Sequence, residues 1–502
     1  MKTVNRCAKV IKSGLFINDR ERNGASIMWN GITGKRRNRF IAYIIIAGIA
    51  AGLAGFAGGR WWMLSQYPML RQPAFSNLDK TYKEVLNEYL NGAEAESLIH
   101  GAAEGMVASL KDPYSVYYTR EKGSTYLERY VDHFVGIGIE LRVENGDFII
   151  NSVMKEAPAE KAGLQPNDVV TAVDGNSLKG KTLADLISLT RGEEGTDVLL
   201  TIIRETMKEP FDVRITRAAV PVTTVTSGLL DGGIGSIRIS RFAESTAKEF
   251  EQAVVGLKEQ GMTGLLLDLR ANSGGLLNPA IDIAGLIVPK NEIIVQVVYK
   301  DEKRKVTHRS KQKEPWTIPV VALIDESTAS SAEVLAAALR TSAQAELVGV
   351  KTFGKGIVQT FIQFDDQSVL KLTEAQWKTP DDKWIHGQGI EPTIAVQMPE
   401  YASLPALPSD VNLSVGSYGQ DVNTAERILK ALGYPSEGRE GIYDEAMEKA
   451  VRQFQVDERL DVEGIISGRT AYRLVERLRD KIMREDPQLK RGKELLLQKT
   501  ER

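Results

Sequence analysis

The stretch Ile318-Pro319-Val320-Val321-Ala322-Leu323-Ile324-Asp325-Glu326-Ser327-Thr328-Ala329-Ser330-Ser331-Ala332-Glu333 decides the fold of the middle of the chain. An apolar run of strand length meets a polar turn, and an alanine-rich helical segment follows from about Ser330 to Thr341. A strand too apolar to alternate is buried on both faces, as in a parallel sheet covered by helices. The pattern recurs on either side. Residues 264–269 (GLLLDL) predict a buried strand, 277–287 a helix and 346–350 another strand, so that 220–398 alternates as an α/β layer.

Ser330 stands where the strand becomes the helix, with its hydroxyl in the open and first-turn N–H groups beside it. A serine there can equally be a plain N-cap. A second piece is Thr352-Phe353-Gly354-Lys355-Gly356-Ile357-Val358-Gln359, which sets a lysine between two glycines and an amide four residues on. Lys355 could serve as a base if burial lowered its pKa from about 10.4 to about 7.4, a change of about 4 kcal/mol. Gln359 is expected to orient its amine by a hydrogen bond. A third piece, Asp268-Leu269-Arg270-Ala271-Asn272-Ser273-Gly274-Gly275, can present bare backbone N–H groups to an oxyanion. No GxSxG elbow occurs, and the four histidines (100, 133, 308, 386) are far apart without an HExxH pair. Neither a metal nor a cofactor is expected.

Together these pieces resemble the carboxyl-terminal processing peptidase family. The serine lies three residues before Glu333, the lysine 25 residues further on and the glutamine four beyond it. The resemblance covers about 76–400 and includes Asp112-Pro113-Tyr114-Ser115 and HGQGIEP (386–392). It implies a crotonase/ClpP-like α/β protease core with Ser330 as nucleophile, Lys355 as base and Gln359 as its support. It also implies an oxyanion hole from Ser331 and either Gly274 or Gly275. Thr393 stands where the family often has aspartate, and STASSAE where it often has SASASE; the glutamate register and lysine spacing select Ser330 over Ser327 or Ser331.

Upstream, 133–206 has short β-rich runs (148–153, 169–173, 198–203) with turns at Asn145-Gly146 and Asp174-Gly175. Gly136-Ile137-Gly138-Ile139 opens a strand, where glycines let backbone N–H groups face a carboxylate and the strand edge can pair with a peptide. With APAEKAGL (157–164) and NDVVTAVDG (167–175) it resembles a PDZ domain, which implies capture of protein C-terminal tails. Residues 77–119 carry helical spacing (Tyr82, Val85, Leu86, Tyr89, Leu90) within a helical region at 76–130, expected to pack on a neighbour or make a homodimer.

Residues 40–59 (FIAYIIIAGIAAGLAGFAGG) hold no charge over about a bilayer's span. Lys35, Arg36, Arg37 and Arg39 precede them, and Arg60, Trp61 and Trp62 follow. The basic flank predicts a single-pass anchor at 40–64, a cytoplasmic tail at 1–39 and an extracytoplasmic remainder at the cell membrane. A cleaved signal peptide and a buried core helix are the competing readings. Cys7 is the sole cysteine of 502 residues, which excludes an intramolecular disulfide; a net charge of −2 gives no reason to expect nucleic acid.

After a proline-containing linker, GQDV (419–422), GIYD (441–444), AVRQFQ (450–455) and DVEG (461–464) resemble a peptidoglycan-binding domain at 410–478. Residues 479–502 read as a charged tail, a frayed helix or disordered. The fold class is thus multidomain α/β and α+β: a PDZ domain before the protease core, then a small all-α domain. The rival of another class is a non-catalytic, wall-bound PDZ scaffold; a cell-wall hydrolase would need paired acids or a metal site.

Overall fold

The computed structural model describes residues 34–127, 130–144, 146–207, 209–408, 411–436 and 438–500. Most of the basic tail, including Cys7, and Asn145 of the expected turn lie outside them. The chain divides into two units, 1–102 and 103–502.

In the first unit one helix spans Gly34–Gln66, and an 18-residue window within Arg39–Gln66 reaches a mean hydropathy of 2.2 with no buried residue. At 1.5 Å per residue it is long enough to cross a bilayer. Helix Phe75–Glu88 also buries nothing, and Ala95–Ala108 begins a second amphipathic helix that runs into the next unit. The helical reading of 77–119 holds only to Ala108: Val116–Tyr118 is a strand, whose β-favouring Val-Tyr-Tyr pairs antiparallel with residues 369–371.

The PDZ region is an antiparallel sheet in the order Ile139–Glu144, Asp147–Val153, Val169–Val173, Asp197–Ile203, Phe211–Thr216. Period-two burial of Val198, Leu200 and Ile202 sends alternate side chains into a core with Phe148, Ile150 and Leu186. Helix Leu183–Thr190 starts on a capping box between Thr182 and Asp185. Strand Ile139–Glu144 is the sheet's edge. A separate ribbon, His133–Gly136 with Ala218–Pro221, ties the entry and exit of the region together.

The core sheet runs Val225–Leu230, Ile234–Ile239, Gly264–Asp268, Val320–Ile324, Glu346–Gly349, Ile394–Ala395, parallel after its first pair. Gly264–Asp268 and Val320–Ile324 are buried at every residue, as their unbroken apolar runs require. Helices Thr246–Glu259, Leu277–Ile287 and Ser331–Ser342 pack into the same core. A second, antiparallel sheet (residues 116–118, 369–378, 293–299, 305–309 and 357–363) was not apparent from the sequence.

The last domain packs helices Gln420–Leu432, Glu445–Asp457 and Gly468–Glu485 around Ile428, Tyr443, Phe454 and Leu474. Gly433, at φ 100°, ends the first helix, and the Asp444 carboxylate caps the second by accepting the Ala446 and Met447 N–H groups. A two-strand bridge, Asn412–Leu413 with Ile466–Ser467, departs from a purely helical fold.

The charged tail is corrected. Residues 468–485 continue as helix, and Pro487–Thr500 forms another that buries Gln488, Gly492 and Leu496. It covers the outer face of the core sheet, against Leu266, Val321, Leu323 and Val348. Gly492 allows the close approach: a Cβ there would stand 2.6 Å from Leu266 Cδ1. Arg270 locks the junction by donating to Asp268 and Gln488 and pairing with Asp486 at 2.7 Å.

Candidate active site

Ser330 sits at the sheet's carboxyl edge, N-terminal to helix Ser331–Ser342, at φ 56°, ψ −120°. A non-glycine residue there is strained by about 1–3 kcal/mol and persists only where its surroundings over-determine it. They do so through Glu333, which is fully buried. Its carboxylate accepts the Ser330 N–H (2.8 Å), the Thr352 hydroxyl (2.6 Å), the Gly354 N–H (2.7 Å) and the Lys355 N–H (2.8 Å). One side chain therefore fixes the serine turn to the lysine loop. The sequence used Glu333 only to set the register; the signal for this wider role was the Ser-x-x-Glu pattern of a capping box.

The third piece is stitched to the same turn. Ala329 N–H donates to Asn272 O, the Thr328 hydroxyl to Leu269 O, and Ala271 N–H to Asp325. Gly274 and Gly275 have φ of 98° and 146°. A Cβ on Gly274 would come within 2.8 Å of Ser330 Cβ, and one on Gly275 would collide with the Phe242 carbonyl. Glycine is required at both for backbone approach. The Gly274 N–H is committed to Asn272 Oδ1 at 2.9 Å. Gly275 and Ser331 N–H make no hydrogen bond among the described residues.

Lys355 is held by its backbone, with its carbonyl accepting the Trp377 indole N–H at 2.9 Å. The HGQGIEP segment closes over the loop: Gly387 N–H donates to Gly354 O, and Gly356 N–H to His386 Nδ1. The lysine amine lies 5.5 Å from the centre of the Tyr114 ring. Burial, helped by the nearby Lys371 charge, lowers its pKa to about 8, against the pull of Glu333 and Asp112 in the other direction. The Asp112-Pro113-Tyr114-Ser115 turn, which entered above only as part of the family resemblance, thus walls the lysine. It is anchored by Ser115, which accepts the Thr373 N–H.

Ser330, Ser331, Gly274, Gly275, Lys355 and Gln359 all line one cleft of about 980 Å³. The expected hydrogen bond from Gln359 to the lysine is not made among the described residues; Gln359 Nε2 is buried without a partner. Gln359 follows a register shift in strand Ile357–Gln363, which sets where its amide points. Gly136 to Ile139 belong to a different place, the start of the PDZ sheet.

A strained serine on a strand-to-helix turn, a buried lysine of lowered pKa and a glycine-lined wall thus meet in one cleft. Comparison with known proteins gives the particular family. The chain matches models of peptidase family S41 over 233–396, a PDZ domain over 149–204, a peptidoglycan binding domain over 418–474 and the activating protease CtpB N-terminal domain over 65–122. It is 38% identical to the carboxy-terminal processing protease CtpA of Bacillus subtilis over 458 residues, covering 91% of this chain and 98% of that protein. A "Probable CtpA-like serine protease" of Staphylococcus epidermidis is 37% identical, with 82% and 83% covered. Among solved structures, the photosystem II D1 C-terminal processing protease matches with 27% identity and a TM-score of 0.39, covering 70% of this chain and 93% of that one. The chain belongs to peptidase family S41 and is a carboxy-terminal processing peptidase with PDZ and peptidoglycan-binding domains.

Proposed function

We propose that the chain is a membrane-anchored, extracytoplasmic endopeptidase whose Ser330 hydroxyl is the nucleophile and whose Lys355 amine is the base. The observation that carries this is the single cleft shared by Ser330 and a lysine of lowered pKa, with Glu333 holding both loops. Neutral Lys355 takes the Ser330 proton as the oxygen attacks the peptide carbonyl. Gly275 and Ser331 N–H receive the oxyanion, the choice of Gly275 over Gly274 following from the latter's bond to Asn272. The tetrahedral intermediate collapses to the acyl-enzyme as the Lys355 ammonium returns its proton to the leaving amine; water, deprotonated by the same lysine, then releases the acid product and restores the Ser330 hydroxyl. Gln359 would reach the amine by a rotation of its unpartnered amide.

The PDZ edge strand and the Gly136-to-Ile139 loop would seat the substrate's C-terminal tail. The last domain would hold the enzyme at peptidoglycan, and the exposed apolar helix Arg39–Gln66 would span the cell membrane. A second copy at the N-terminal helices would cover Leu90 and Ile99, which are exposed. The test is cleavage of casein by the full chain beside Ser330→Ala and Lys355→Ala. Loss in both variants is expected; persistence in Ser330→Ala would identify another nucleophile.

A further inference from the structure

Arg217, Arg270 and Arg241 are each buried or half-buried, and they differ in how their guanidiniums are answered. Arg217, in the PDZ domain, donates to the Thr190, Leu189 and Asp197 carbonyls and to the Thr196 hydroxyl. Arg270 is answered by Asp268, Asp486 and Gln488. Arg241 has none of this. Its Nε is buried without a hydrogen-bond partner, and its guanidinium makes no ion pair among the described residues. A buried donor left unpaired costs about 1–3 kcal/mol, more when charged, and such a group calls for an explanation.

Arg241 lines the cleft that holds Ser330 and Lys355. The next residue, Phe242, donates its N–H to Gly274 O and accepts the Leu276 N–H, so the arginine flanks the glycine strand beside the nucleophile. Glu326 is the one acidic side chain lining the cleft among the described residues; it is exposed and forms no ion pair with Arg241. Much of the remaining wall is apolar or aromatic, including Tyr126, Tyr130, Phe361 and Leu277. A cation without a partner in such a place is matched by a carboxylate, which a guanidinium binds through two parallel hydrogen bonds.

We propose that Arg241 is a specificity-determining residue that pairs with a carboxylate of the protein substrate close to the scissile bond. The inference rests on the reading of Ser330 as nucleophile. The carboxylate belongs either to an aspartate or glutamate side chain or to the chain end, and the two are separated by experiment.

The full chain, in detergent, is given quenched peptides that differ only in Glu or Gln at one position on either side of the cut bond. A further all-Gln peptide ends in a free carboxylate at the preferred position. At one position Glu should raise kcat/KM about tenfold over Gln, the scale of one charge-assisted pair. R241Q should bring that ratio to about one, R241K should keep part of it, and R241E should turn the preference towards Gln. Preference for the free-acid peptide alone would assign the same role to the chain end. Cleavage that needs Ser330 yet shows no preference in the parent, or a preference that survives R241Q, overturns the inference and leaves the serine mechanism standing. Cleavage that persists in S330A overturns both.

Discussion

The turn at Ser330 and the turn at Gly138 both hold a residue at positive φ, and they are stabilised in opposite ways. Gly138, at φ 78°, takes that conformation without Cβ strain, and two backbone bonds suffice around it: Met154 N–H to Gly138 O, and Ala159 N–H to Ile137 O. Ser330 must carry a hydroxymethyl group at φ 56°, and four donors on one buried carboxylate hold its surroundings. A binding loop can rely on glycine. A residue proposed as nucleophile cannot be glycine, and its strain is offset by a network reaching other segments.

The largest effect should come from removing that network. Glu333→Ala leaves four donors without their acceptor, each at about 1–3 kcal/mol if it stays unpaired. Activity on casein should fall at least about a hundredfold, with a clear drop in Tm, while Glu333→Gln, which keeps one carbonyl oxygen, should melt between the two. Parental activity in Glu333→Ala would break the contrast.

Next is the PDZ turn. A Cβ at Gly138 would overlap that of Ala157 and sit at an unfavourable φ. Gly138→Val should lower cleavage of tailed substrates by about tenfold or more. A tail-less peptide should lose far less, and equal losses for both would show the turn to be general scaffolding.

The lysine offers a finer test. Its pKa of about 8 means that kcat/KM should rise about tenfold per pH unit below 8 and level off above, since the neutral amine is the reactive form. The folded state binds fewer protons than the unfolded one between about 8 and the ordinary lysine value of 10.5. Stability should therefore rise with pH across that window and be lost as pH falls through it. Lys371→Met removes a like charge and should move the activity profile to higher pH; an unmoved profile would leave burial as the whole cause.

The smallest effect is expected at Gly136. It has no left-handed φ, and an added Cβ meets only the edge of the Phe134 ring, at 3.0 Å. Gly136→Ala should change tail-dependent cleavage by about twofold at most. The two glycines of this loop, alike in the sequence, are thus unequal in the fold.

The strands and helices of the protease core were legible because buried parallel strands leave unbroken apolar runs and helices leave a 3.6-residue period. The spacing from Ser330 to Lys355 to Gln359 was legible through a family resemblance, and the structure brings all three to one cleft. The antiparallel sheet was not, since its strands mix polar and apolar residues and pair over long separations, as 116–118 does with 369–371. Nor was the docked helix Pro487–Thr500, whose charged composition hides a short apolar face.

By itself the sequence determined which segments of the parallel core fold as strand or helix, which hydroxyl and amine are candidates for chemistry, and that one segment suits a bilayer. Those depend on local periodicity and on residue type. Tertiary structure alone decided that Glu333 joins two loops, that Tyr114 and Lys371 surround the lysine, that Gly274 has spent its N–H, and that the Arg241 Nε has no partner among the described residues. Each depends on which groups meet after the chain has closed on itself, and hydrogen bonding and desolvation act only between groups that have met.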